Sequence, residues 1–448
     1  MENKDLYSSL FHLTSLLTDL FPRRGARALD ASLTSTLGSD LIVRKKFEEA
    51  LKRIGTGNGI HRILVFSDLN IGDALFSQAS VTALRDFFPS AEIDLVISAA
   101  ARSLIEGNPE VSRLMPDFHG APFPDQGDFD SVRRISASRR YDVIFTFSPF
   151  FQLRKHFSKH SRVIDYTTLA SMLVQGERLK TVKNHVVHQT HRFVHGIFSR
   201  FLEPVRNVPF NGVSVTLSDE AIGLAVQFLR KNEILDEGPM VFLNPDASTR
   251  FTGIPTAVQV DLLKKLTRST SRVLLGGGHS NPGIENHLLT SLSHFERSRI
   301  TVVPPSLPID AYAALIDFTQ VYISGDAGPL HIAAARKRSR SGNYEFRNRT
   351  SVFSIFGATP ARIYGYDSRY SNSFAANQDS PSHTYVSQSP CRNITCINKM
   401  AKTCKTLRCF EFVDVDRIAG DVDVVLRSVE SERMEPVFIR NRVSLQTR

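Results

Sequence analysis

Several short segments of this chain are apolar at nearly every position, and they constrain the fold more than any other feature. They are Ile63–Ser67 (ILVFS), Ile93–Ile97 (IDLVI), Tyr141–Phe147 (YDVIFTF), MVFLNP from Met240, Arg272–Gly278 (RVLLGGG), Ile300–Val303 (ITVV), Val321–Ser324 (VYIS) and Ser351–Gly357 (SVFSIFG). A strand with one wet face alternates apolar and polar residues; a continuous apolar run is buried on both faces and belongs to a parallel sheet covered by helices. Helix-sized segments lie between the runs. The first carries Val81, Leu84 and Phe88 on one side and is ended by Pro89. This β-α-β rhythm predicts an α/β fold of doubly wound sheets. It occurs twice, either side of a stretch from Gly212 to Gly238 that holds a helix, Glu220–Leu229, and a linker. Two Rossmann-like domains facing a cleft are expected, with ligands beyond the carboxyl ends of the strands. No period of 20–50 residues suggests a solenoid.

The length of 448 residues agrees with two or three domains of about 150 residues. With 42% hydrophobic and 22% charged residues, the chain is not a disordered, collagen-like or disulfide-scaffold sequence. No apolar run is long enough to span a bilayer. The start, with Glu2, Lys4 and Asp5, does not read as a signal peptide, so a cytoplasmic protein is expected. Residues 1–60 read as a helical N-terminal extension. Leu6, Leu10, Leu13, Leu17 and Leu20 share one helix face, which packs on its own protein or on a second copy. The net charge of +10 favours an anionic partner, whether a phosphorylated substrate, a membrane surface or a nucleic acid. Basic-aromatic interleaving is missing, which argues against nucleic acid. Arg336–Arg349 carries six positive charges and one acidic residue; it reads as a solvated loop or as a contact for an anionic acceptor at the inner membrane face. Asp367–Ser389 reads as a Ser/Asn-rich loop.

Four constellations bear on chemistry. Asp73, in NIGDALF, follows a strand and opens a helix; it is either a helix N-cap or an ionised carboxylate available as a general base. In Ser324–Ala335 (SGDAGPLHIAAA), a strand, a glycine turn around Asp326 and Gly328, and Pro329 at a helix start coincide. Such a helix start binds a diphosphate, and His331 in its first turn either contacts phosphate or serves a structural bond. Leu274–Glu285 (LLGGGHSNPGIE) has three glycines for close approach to a ligand or to backbone, and Glu285 could hold a ribose diol. Ser248, Thr249 and Arg250 follow another strand, where they bind phosphate oxygens or simply form a turn.

Cys391, Cys396, Cys404 and Cys409 put four thiols in 19 residues; they are reduced structural thiols or a tetrahedral Zn or Fe site. Three Asp-x-Asp pairs, Asp128/Asp130, Asp414/Asp416 and Asp421/Asp423, read as solvated carboxylates.

These motifs resemble glycosyltransferase family 9, the ADP-heptose:lipopolysaccharide heptosyltransferases, from about Arg62 to Leu426. Ile63–Val96 is similar to the family's opening strand, Gly-Asp turn and helix. Val321–Ala335 is similar to its Asp-Thr-Gly-Pro-Leu-His segment, and Ser354–Gly365 to its Phe-Gly-x-Thr-x-Pro turn. The resemblance implies a GT-B fold and an inverting transfer of heptose from an ADP-sugar to a lipopolysaccharide core, with no cofactor required. It implies Asp73 as general base, with Ser248, Thr249, Glu285, Asp326, Gly328 and His331 around the donor. A nucleotide-sugar donor and an anionic glycolipid acceptor are the implied partners. The implied layout is 1–60 extension, 61–235 acceptor domain, 236–390 nucleotide-sugar domain and 391–448 Cys-containing segment and tail. Thr252–Pro255 (TGIP) stands where the family often has Lys-x-Trp-Pro, with Arg250 the nearby charge, and Ala327 replaces the usual Thr or Ser. Two other readings go with those departures. One is transfer to a protein or another glycan; the other is a non-catalytic sugar-nucleotide binding protein.

Overall fold

The computed structural model describes residues 59–67, 70–115, 126–146, 157, 163–164, 185–199, 202–206, 210, 212–235, 238–248, 251–269, 272–277, 281–337, 350–357, 359, 361–366, 383–387 and 408–432. The N-terminal extension expected over residues 1–60 lies outside these residues, except for Gly59 and Ile60.

The first sheet is built from β1 (Arg62–Phe66), β2 (Glu92–Val96), β3 (Arg113–Leu114), β4 (Val143–Thr146) and β5 (Val163–Ile164). All are parallel, in the order β3-β2-β1-β4-β5. The second contains β6 (Met240–Asn244), β7 (Arg272–Gly276), β8 (Ile300–Val303), β9 (Val321–Ser324), β10 (Ser351–Phe356) and β11 (His383–Val386). It too is parallel, in the order β11-β10-β9-β6-β7-β8. Each order runs outward in one direction from its first strand and then restarts on that strand's other side. The switch point is therefore between β1 and β4 in one sheet and between β6 and β9 in the other.

Helices α1 (Ile71–Phe87), α2 (Arg102–Ile105), α3 (Gln126–Arg139), α4 (Val186–Phe198) and α5 (Asp219–Lys231) accompany the first sheet and the linker. Then come α6 (Thr256–Ser269), α7 (Ile284–Thr290), α8 (His294–Ser298), α9 (Ile309–Asp317), α10 (Gly328–Arg336), α11 (Ala361–Tyr364) and α12 (Val415–Glu432). Alternation along β1 shows why the apolar runs are continuous. Ile63 and Val65 face one core, while Leu64 and Phe66 face another with Phe129 and Tyr141. On β6, Phe242 joins the same core as Ile63, whereas Val241 and Leu243 face α6 and α12. One apolar core thus runs from the inner face of the first sheet to the inner face of the second, through α1, α4, α5, α9 and α10.

Three strands lie outside the expected runs. β3 and β5 have two residues each, and β11 falls inside the segment read as a Ser/Asn-rich loop, adding to the edge beside β10. The basic segment from Arg336 also begins differently from a solvated loop. Arg336 and Lys337 are buried, and Arg336 forms a forked ion pair with buried Asp317. Those two charges are part of the interior and are not offered to an acceptor.

Candidate functional site

Both switch points open onto the same place. β1 feeds α1 through Asn70, and β9 feeds α10 through Gly325–Ala327. The two helix starts touch. A Cβ on Gly328 would lie 3.0 Å from Ile71 Cβ, and one on Gly72 would lie 2.6 Å from His331 Cδ2. A side chain at either position would have to push its neighbour aside, because the helices meet through backbone, Ile71 and an imidazole ring. Gly325 is equally confined: its missing Cβ would run into the Thr252 carbonyl, and Asp326 N–H donates to that same carbonyl at 2.9 Å. The segment Thr252–Ile254 is thereby docked onto the Asp326 loop.

Asp73 is not the N-cap of α1. Asn70 holds that position, and its amide donates to Asp73 Oδ2 at 3.2 Å across the first turn. Burial pushes the Asp73 carboxyl above the ordinary carboxylate range. The Asn70 bond and His331 pull it back, and Asp326 adds to the rise. His331 is buried, and the structural bond it makes is to a side chain rather than to a backbone group. Its Nδ1 is 2.7 Å from the Tyr366 hydroxyl and its Nε2 is 3.5 Å from Asp326 Oδ1. Phe76 presents a ring edge-on to it at 4.6 Å.

The structure therefore brings Asp73, Asp326, Gly328 and His331 together. Ser248 is exposed at the end of the neighbouring strand, while Thr249 and Arg250 lie outside the described residues. Glu285 stands apart in the first turn of α7, after β7. One of its carboxylate oxygens is buried with no hydrogen-bond partner among the described residues. The glycine run after β7 serves backbone packing at Gly277, whose missing Cβ would strike Pro305 and the Val303 carbonyl. Cys391, Cys396 and Cys404 lie outside the described residues. Cys409 is buried, and its carbonyl packs on Gly357 at the end of β10. Among the described residues no group of three or more His, Cys, Asp or Glu could hold a metal. Of the Asp-x-Asp carboxylates, Asp130 pairs with Arg133, Asp416 with Lys265 and Asp421 with Tyr385, whereas Asp423 departs from the solvated reading, with one carboxylate oxygen buried and unpartnered among the described residues.

Two members of this cluster carry no motif in the sequence. Tyr366, fully buried, and His185, at the N-cap of α4, lie ring to ring with centroids 4.6 Å apart. Burial, reinforced by His331, drives the His185 imidazolium far below the ordinary histidine range. The one signal that could have found Tyr366 is the aromatic pair Tyr364-Gly365-Tyr366 just after the Ser354–Gly357 landmark.

The profile of glycosyltransferase family 9 (heptosyltransferase) matches residues 164–391, just over half of the chain. The chain belongs to glycosyltransferase family 9. Its architecture agrees with that of solved members. The E. coli ADP-heptose lps heptosyltransferase II shares 16% identity over 82% of this chain and 99% of that one, with a TM-score of 0.55. A glycosyl transferase family 9 protein from Veillonella parvula shares 14% identity over 82% of this chain and 98% of that one, with a TM-score of 0.61. No curated protein sequence matches the chain. This family 9 glycosyltransferase therefore has the two-sheet GT-B fold, and the starts of its helices α1 and α10 meet between the two sheets. Among the described residues no helix is long and apolar enough to cross a membrane.

Proposed function

We propose that the protein transfers heptose from an ADP-sugar to a hydroxyl of a lipopolysaccharide core, with inversion at the anomeric carbon. The reading is carried by the meeting of Asp73 with the Gly325–His331 loop across the boundary between the two sheets. A carboxylate whose proton affinity is raised by burial is a stronger base than a solvated one. Asp73 takes the proton of the acceptor hydroxyl as that oxygen bonds to the anomeric carbon, while the bond to the ADP oxygen breaks. One displacement inverts the centre.

The charge that grows on the departing diphosphate is received at the start of α10, with Ser248, Thr249 and Arg250 as the side-chain donors this reading assigns. Pro329 has no N–H and Leu330 N–H is spent on the Ala327 carbonyl, which narrows the donors there to the Gly328 amide. The buried, unpartnered oxygen of Glu285 is an acceptor that a ribose hydroxyl would satisfy. The similar E. coli protein is an ADP-heptose lps heptosyltransferase, and that supports this donor and acceptor. On this reading residues 61–235 receive the acceptor at the inner membrane face, residues 236–390 hold the donor, and the 1–60 extension joins copies. Cys391, Cys396, Cys404 and Cys409 are reduced structural thiols or the four ligands of a structural Zn or Fe site, and metal analysis of anaerobically purified protein decides between the two.

The reading is tested by Asp73→Ala, assayed for ADP release from ADP-heptose with heptose-deficient lipopolysaccharide. The variant keeps the fold and loses about 10³-fold in turnover; near-wild-type turnover overturns the assignment. A thermal-shift panel of ADP-, GDP- and UDP-sugars gives ADP-specific stabilisation, and a UDP preference overturns the donor. Stabilisation by ADP-heptose with no turnover in the wild type marks a binding protein instead.

A further inference from the structure

We propose that Tyr366 is a positioning residue for His331. Its hydroxyl fixes the imidazole tautomer so that the ring presents an N–H, at Nε2, to the meeting point of the two helix starts. The inference rests on reading that meeting point as the transfer site, but its structural half stands without it.

Tyr366 is fully buried, and burial together with the Asp326 charge drives its phenol far above the ordinary tyrosine range. The hydroxyl therefore keeps its proton. The hydroxyl lies 2.7 Å from His331 Nδ1 and can donate to that nitrogen or accept from it; the Asp326 carboxylate on the far side of the ring selects the arrangement in which it donates. The remaining ring proton then sits on Nε2, which is 3.5 Å from Asp326 Oδ1. The opposite tautomer would leave a bare Nε2 lone pair facing a carboxylate, two acceptors with no proton between them. Cδ2 is held against the Gly72 backbone and Phe76 closes on the ring edge-on.

The phenol is itself held by the other half of the molecule. His185, which precedes α4 beside the first sheet, lies ring to ring against Tyr366. Phe76, on α1, contacts both His185 and His331. The tautomer of a residue on the second sheet is thus set within an aromatic cluster supplied by both sheets. The consequence is an N–H donor at the start of α10 that either holds the Asp326 carboxylate or turns to an anionic oxygen arriving there.

The experiment is side-chain ¹⁵N spectroscopy of histidine-labelled full-length protein, with the His331 signals assigned by their loss in His331→Gln. Wild type shows a protonated Nε2 and an unprotonated, hydrogen-bonded Nδ1. Tyr366→Phe moves both shifts toward the average of the two tautomers. A wild-type Nδ1–H, or a Tyr366→Phe spectrum identical to wild type, overturns the proposal. The wild-type measurement decides it even where the variant folds poorly. With ADP-heptose and heptose-deficient lipopolysaccharide, Tyr366→Phe lowers kcat about tenfold or more, with KM for ADP-heptose within about twofold. An unchanged kcat beside an altered tautomer overturns the catalytic half. A wild type that shifts as expected and turns over no sugar nucleotide overturns the transferase reading and leaves the tautomer assignment standing.

Discussion

Gly72→Ala separates the geometry of the site from the stability of the fold. The new methyl would sit 2.6 Å from His331 Cδ2, 3.5 Å from Nε2 and 3.6 Å from Cγ. Carbon atoms rest about 3.5–4.0 Å apart, so the ring must retreat by roughly 1 Å. It cannot do so at no cost, because Tyr366 holds Nδ1 at 2.7 Å and Phe76 packs on the ring at 4.6 Å. Overpacking of this size costs about 1–3 kcal/mol. Against it stands a gain of at most about 1 kcal/mol from replacing glycine by alanine in a helix. The net loss is about 0–2 kcal/mol, which a thermal melt reads as a shift of a few degrees. Turnover responds far more. A displacement of about 1 Å at a positioning group costs about 100-fold, equivalent to about 2.7 kcal/mol in the barrier. The assay pairs a melt with ADP release from ADP-heptose under saturating acceptor. A variant with near-wild-type kcat refutes the claim that the Gly72 contact seats His331. A variant that unfolds by more than about 4 kcal/mol refutes the claim that the neighbouring ring can give way.

Two further predictions concern stability. Ala327 is the N-cap of α10, has extended backbone angles and makes no capping bond. Ala327→Ser therefore supplies the missing acceptor and raises stability by about 1 kcal/mol, measured by denaturant titration; an unchanged midpoint refutes it. The second concerns pH. Burial first, then His195 and His188, lowers His191 to about 4 from 6.5, and burial also lowers His185 well below the ordinary histidine range. Both folded values lie below the unfolded one, so the unfolded chain binds more protons through the window from about 6.5 down to 4, and stability falls as pH falls. His191 alone removes about 1 kcal/mol between pH 8 and pH 5.5. A melting temperature that stays flat or rises over that range sinks this reading.

The strands were legible where burial on both faces left no polar position, as at Ile63–Phe66 and Val321–Ser324. β3 and β5 were not, because two residues carry no periodicity, and β11 was not, because its HTYV lies among serines and asparagines. The glycine turns were legible because the chain has few other ways to pass between touching helices. What lay beyond the sequence were partnerships between distant positions. His331 bonds a phenol 35 residues away. Asn70 takes the N-cap position that Asp73, in the first turn of the same helix, was read as filling. The charges of Arg336 and Lys337 looked solvated because the run around them is basic, yet Asp317, 19 residues upstream, gives Arg336 a buried partner.

That ion pair also bears on how the two sheets keep their relation. The linker is gripped at consecutive residues from opposite sides. Gln78, on α1, donates to the Ser214 carbonyl at 3.0 Å and accepts from Ser214 N–H at 3.4 Å. Arg336, on α10, donates to the Val215 carbonyl at 2.6 Å while its other nitrogens hold Asp317. Gln78 lies five residues beyond Asp73 and Arg336 five beyond His331, so each grip is about 7.5 Å along a rigid helix from its site residue. The two grips are comparable in strength. The Gln78 contacts are neutral hydrogen bonds worth about 1 kcal/mol each, and the Arg336 bond to the linker, from a charged donor, is worth about 1.5–3 kcal/mol. Asp317 holds the guanidinium of Arg336 in place whether or not the linker is bound, so the linker ties α1 to α10 at the level of Ser214 and Val215.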